Sequence, residues 1–159
     1  MILHYVSSGL PVLLGLLQAC AYTKFRTLEH ISSVKSPVTI VHSRDDDDTP
    51  ISHAVLIFDQ LISSVLGPPP RSFHTLPLST SEEEFTTLKV KHREYFKLRD
   101  ASVTVSSTTN DAFVVSEVVR SDGTKLAFVE TKHGGHGRVA AQEGVQDILV
   151  DRYNLVNSP

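Results

Sequence analysis

The sequence predicts an α/β protein, and three patterns carry that expectation. Residues 37–66 read as a strand, a polar loop and an amphipathic helix, which is half of a βαβ unit. Residues 112–120 and 125–132 read as two strands joined by an Asp-Gly turn. A helical apolar pattern at Val139, Ala140, Val145, Ile148 and Leu149 then leads into a polar tail. The expected architecture is a few parallel-type strands flanked by helices, with a β-hairpin inserted.

Composition bounds the function classes. At 159 residues the chain has the length of one ordinary domain, and 40% hydrophobic residues make it too apolar to be disordered. Fifteen Lys and Arg against eighteen Asp and Glu give a net charge of −3, so no basic excess points to a nucleic-acid backbone. A single cysteine, Cys20, excludes an internal disulfide framework and any all-cysteine zinc site. In a leucine-rich run, it reads as a small buried hydrophobe.

The elements follow in order. Residues 2–22 are mostly apolar and end near Lys24. No Lys or Arg precedes the run, as a secretory signal requires, although Ala19 and Ala21 form an A-x-A-like pair. His4, Ser7, Ser8, Pro11 and Gln18 interrupt it as a membrane span. A buried or lid-like helix from Pro11 through Leu13, Leu14, Leu16, Leu17 and Ala21 is preferred to a signal, an anchor or a span. Residues 1–30 thus form a lid-like apolar segment ahead of a second unit, 31–159.

Within that unit Pro37 punctuates the start of Val38-Thr39-Ile40-Val41-His42, a short β-branched run suited to a buried parallel strand. Such a strand expects a neighbour on each side. Apolar residues at 51, 54, 55, 58, 61, 62 and 65 then place a helix on the core, and Gly67-Pro68-Pro69-Pro70 stops it. Residues 68–82 read as a Pro/Ser/Thr-rich loop, and Glu82–Lys97 as a helix with Ser81 as N-cap and acidic residues in its first turn.

Chemistry concentrates at two strand exits, where open α/β sheets gather their ligands. One is His42-Ser43-Arg44-Asp45-Asp46-Asp47-Asp48-Thr49-Pro50; the other is His133-Gly134-Gly135-His136-Gly137. An aspartate that orients an imidazole, with the histidine on a glycine-freed loop, is the arrangement general-base catalysis needs. Simpler readings stand beside it. Four aspartates in a row make an ordinary solvated loop, and His133 and His136 with an aspartate are also a zinc pattern. An EF-hand is excluded, because counting from Asp45 puts Pro50 at position six and Leu56 at twelve. His42, His53, His74 and His92 read as structural or exposed. Ser43 lacks the glycines of a nucleophile turn.

The same residues resemble a family. Residues 37–43, then Asp46-Asp47-Asp48-Thr49-Pro50 and a helix, look like the acid segment of α/β-hydrolases, and Gly134-Gly135-His136-Gly137 looks like their histidine loop. Residues 27–37 resemble the strand entry of the branch containing monoacylglycerol and lysophosphatidylserine lipases. The resemblance covers about residues 10–66 and 126–150 and implies a catalytic pair of Asp46 as triad acid and His136 as base, with Asp45 the off-by-one alternative. It further implies ester hydrolysis on lipid-like acyl substrates without metal or organic cofactor, and no nucleic-acid partner. Contact with a membrane surface through residues 2–22 and a membrane-associated intracellular location go with it.

One departure outweighs the matches. The eight glycines stand at 9, 15, 67, 123, 134, 135, 137 and 144, no two four apart, so the G-x-S-x-G elbow is missing. The expectation is therefore a C-terminal part of a partial α/β-hydrolase fold, with the nucleophile upstream of Met1, an insertion about 68–124, and no activity alone. The alternative is a non-catalytic truncated hydrolase-like binding or regulatory module.

Overall fold

The computed structural model describes residues 27–108 and 112–155, and these form a four-stranded mixed sheet with helices on both faces. Most of the lid-like segment, the membrane contact expected at 2–22 and Cys20 lie outside the described residues. The described chain opens with one helical turn, α1 (Thr27–His30), and a 3-10 turn, Ile31–Ser33.

Strand β1 (Val38–Ser43) leads through the aspartate loop into helix α2 (Ile51–Leu66). Ala54, Phe58, Leu61 and Ile62 fall at helical spacing and are the buried residues of α2. Gly67, at φ 90°, ends the helix ahead of the proline run. Helix α3 (Glu82–Ser102) starts at a capping box: the Ser81 hydroxyl accepts from the Glu84 amide while the Glu84 carboxylate accepts from the Ser81 amide. Strands β2 (Thr104–Ser107), β3 (Phe113–Val119) and β4 (Lys125–Thr131) follow, then the single turn α4 (Gly135–Arg138) and helix α5 (Glu143–Tyr153). The β3–β4 hairpin closes as expected from the Asp-Gly pair, with Gly123 at φ 84° and Asp122 accepting from the Thr124 amide.

Strand order is β1-β4-β3-β2. Only β1 and β4 are parallel; β4–β3 and β3–β2 are antiparallel. The expectation of parallel-type strands is corrected to one parallel pair extended by an antiparallel ribbon. The physical reason is connection length: β2, β3 and β4 follow one another through short links, which return a strand antiparallel, whereas β1 reaches β4 only after two helices and two strands.

Alternation sorts side chains to the two faces. Leu126, Phe128 and Val118 join α2 in one buried cluster, with Val38 and Ile40 packed against it. On the opposite face α5 crosses the sheet. Its Tyr153 hydroxyl meets Thr39 at 2.9 Å on β1, its Arg152 pairs with Glu117 of β3 at 2.6 Å, and Val145 is fully buried. Helix α2 thus packs on one face of the sheet, and α5 meets β1 and β3 on the other. Among the described residues no helix is long and apolar enough to cross a membrane.

Candidate functional site

Parallel pairing in register, His42 opposite Glu130 and Ser43 opposite Thr131, brings the exits of β1 and β4 side by side. The Arg44 amide extends the ladder by donating to the Thr131 carbonyl at 2.9 Å. The aspartate loop and the glycine-histidine loop, 90 residues apart in sequence, therefore leave the sheet as neighbours.

Asp46 holds its own loop in an Asx turn: its Oδ1 accepts from the Asp48 amide at 3.0 Å and the Thr49 amide at 2.8 Å. Its Oδ2 faces His136 Nδ1 at 3.1 Å. The Asp46 side chain is only 5% exposed, whereas that of His136 is 59% exposed. Amide donation from Thr49, then the His136 ring, hold the Asp46 carboxyl below its ordinary value against the opposing effect of burial. A carboxylate only accepts, so Nδ1 donates, and Nε2 of the neutral ring is left as a base.

Asp45 does a different job. It accepts from the Ser43 hydroxyl, from the Gly135 amide at 2.8 Å and from the Gly134 amide at 3.4 Å, and it lies 3.6 Å from His133 Nδ1. The Ser43 hydroxyl foremost, and then the Gly135 amide, lower its carboxyl to about 2. Asp45 staples the two loops together; it is Asp46 that meets His136. The staple needs glycine: Gly134 and Gly135 sit at φ 135° and 54°, and a Cβ on Gly134 would collide with the Gln142 amide.

Two further groups face the pair. His42 Nδ1 lies 2.8 Å from the Ser43 carbonyl, and its Nε2, buried without a hydrogen-bond partner, is 3.6 Å from Asp46 Oδ2. Asp48 joins Asp46 and His136 in a set whose donor atoms all lie within 4.8 Å, close enough to share a cation. Such an ion would draw on the same Asp46 carboxylate and His136 ring that now face each other. The zinc pattern of the sequence fits less well, since His133 turns to Asp45 and is 77% exposed.

The structure brings the expected residues Asp46 and His136 into contact, and gives Asp45, the alternative to Asp46, separate partners. His42 carries no sequence signal beyond its place at a strand exit. Ser43, which lacks the glycines of a nucleophile turn, is buried and engaged with Asp45. A cavity of about 660 Å3 opens elsewhere, between residues 71–80 and the first half of α3, and none of its lining residues belongs to the strand exits. Comparisons with known proteins return no matching family model, curated protein or solved structure.

Proposed function

We infer that this chain supplies the acid and the base of a serine ester hydrolase acting on lipid-like acyl esters, as part of an α/β-hydrolase fold. The observation that carries this reading is the 3.1 Å contact of Asp46 Oδ2 with His136 Nδ1, made between the exits of two parallel strands with the His136 side chain 59% exposed. The residues of the sequence resemblance and the contacting residues are the same.

In the reaction a serine, contributed by sequence outside these 159 residues, attacks the acyl carbonyl. His136 Nε2 takes the serine proton and returns it to the departing alcohol, and Asp46 fixes the ring and stabilises the imidazolium. Water then releases the acid by the same route. Neither step requires a metal or an organic cofactor. The lack of an elbow among the eight glycines favours a second reading, a hydrolase-like binding or regulatory module without catalysis.

The test is to translate the coding sequence upstream of Met1 and assay both products. The 159 residues alone are expected to hydrolyse p-nitrophenyl esters no faster than buffer. An in-frame product carrying G-x-S-x-G is expected to turn them over and to lose about 10⁴-fold on His136→Ala or Asp46→Asn. Robust turnover by the 159 residues alone, abolished by His136→Ala, overturns the missing nucleophile. A stop codon directly ahead of Met1 leaves the binding module as the reading.

A further inference from the structure

Helix α3 is the least buried long element of the described chain. None of its 21 residues is buried, and it touches the body mainly near its end, where Arg99 pairs with Asp59 on α2 at 2.6 Å. An isolated helix of this kind normally presents a polar surface. This one carries an aromatic stripe instead.

Phe85, His92 and Phe96 fall at i, i+7 and i+11, one face of the helix. Phe73, from a 3-10 turn ahead of α3 (Phe73–Thr75), stacks on His92 at 4.5 Å between ring centres and meets Phe85 edge-on at 5.4 Å. The His92 ring is fixed in turn by a 2.8 Å contact with the Arg71 carbonyl. The patch is ordered, yet Phe73 and Phe85 remain more than one-third exposed and Phe96 is 50% exposed. A contiguous exposed aromatic patch on an ordered scaffold marks a contact surface.

Charge indicates what it contacts. Lys89, Arg93 and Lys97 repeat at i, i+4 and i+8 and form a row directly beside the stripe, with Lys89 Nζ 4.5 Å above the Phe85 ring. Glu94 projects from the opposite side of the helix by the same spacing. Glu83 and Glu84 crowd the first turn, where the helix dipole favours acids, while Glu82 and Asp100 continue the basic row at its two ends, i+7 and i+11 from Lys89 and Arg93. In a chain of net charge −3, the middle of this aromatic face thus carries three cations in succession between two terminal acids. Aromatic rings flanked by a basic row are the chemistry of a helix lying at the interface of an anionic bilayer.

We propose that the Phe85–Phe96 face of α3, with Phe73, docks on anionic lipid surfaces through Lys89, Arg93 and Lys97. This inference stands apart from the Asp46–His136 reading, since it uses none of the strand-exit residues.

The sequence has no tryptophan, so Phe96→Trp installs a single indole reporter in the face itself. The chain is mixed with vesicles of phosphatidylcholine alone or with added phosphatidylserine. Expected are co-sedimentation with the anionic vesicles only, a blue shift of the indole emission on binding, and release by salt. Reversing Lys89, Arg93 and Lys97 together to Glu is expected to lower partitioning by at least about 100-fold. The far-UV circular dichroism of that variant should match the parent, because all three side chains are exposed. Phe85→Ser, which keeps the charges, should weaken binding and reduce the indole shift. Three results overturn the proposal: no binding to either vesicle, binding that survives the triple reversal, or an indole shift that follows protein concentration without lipid.

Discussion

Asp46 divides its carboxylate between two tasks, one oxygen fixing its own loop and the other facing His136. Its neighbour Asp45 is turned instead towards the Ser43 hydroxyl and the Gly134 and Gly135 amides. Four consecutive aspartates cannot show this division in sequence, because each has the same neighbours until the turn is formed. A Pro-based register selects Asp46, but the loop-stapling role of Asp45 depends on amides 89 and 90 residues away. The two roles separate in acid. Asp45 has a folded-state pKa of about 2 against an ordinary 3.8, so it favours the folded state above 3.8, and that contribution is lost as pH falls towards 2. Asp45→Asn is therefore expected to be less stable than the parent at neutral pH. The difference should shrink as pH falls below about 4 and vanish only once pH is well below the folded-state value of about 2. Urea melts across that range check it; a pH-independent difference would place the effect in packing rather than in charge.

At the scale of elements, the strongest periodicities were the most legible. Helix α2 spans the residues its apolar spacing and Gly-Pro stop define, and the Ser81 cap opens α3. Helix α3 runs five residues beyond the expected Lys97, because Leu98 and Arg99 extend it to its pairing with Asp59. Strand β2 was not legible: Thr104-Val105-Ser106-Ser107 is fully exposed and carries no buried alternation, and only its pairing to β3 makes it a strand. The closing helix was visible as a pattern, but its seat was not. Gly144, in the first turn of α5, lies so close to β3 that an added Cβ would stand 2.6 Å from the Phe113 ring. Gly144→Ala is expected to destabilise the fold by about 1–3 kcal/mol, through overpacking against a ring held between strand and helix. Gly137→Ala is the control, since a Cβ there meets nothing within 4 Å. Chemical denaturation of the pair checks the prediction; equal midpoints would show that α5 shifts freely on the sheet.

At the scale of the whole molecule, the sheet has α2 on one face and α5 on the other, and it is open at an edge that matters. Among the described residues β1 pairs with β4 alone, although its sequence, Val38-Thr39-Ile40-Val41, is that of a strand with two neighbours. Helix α2 packs on one of its faces and α5 reaches the other at Thr39, leaving the strand half-buried. The backbone donors and acceptors of one edge are unpaired among the described residues. In the hydrolase reading this is the edge at which upstream strands join, and it borders the Asp46 loop. The sequence-level expectation of a two-sided strand and the one-sided pairing observed together predict a measurable asymmetry. Native-state hydrogen exchange on the 159-residue chain at low concentration should show alternate amides of residues 38–43 protected by β4 and the others exchanging rapidly. As concentration rises, the fast set should slow while light scattering increases, because a second copy can add to a bare apolar edge. Protection of every amide at low concentration would mean that the edge is already paired within the chain. The upstream half of a hydrolase would then find no free edge beside the Asp46 loop, and the binding-module reading would take precedence.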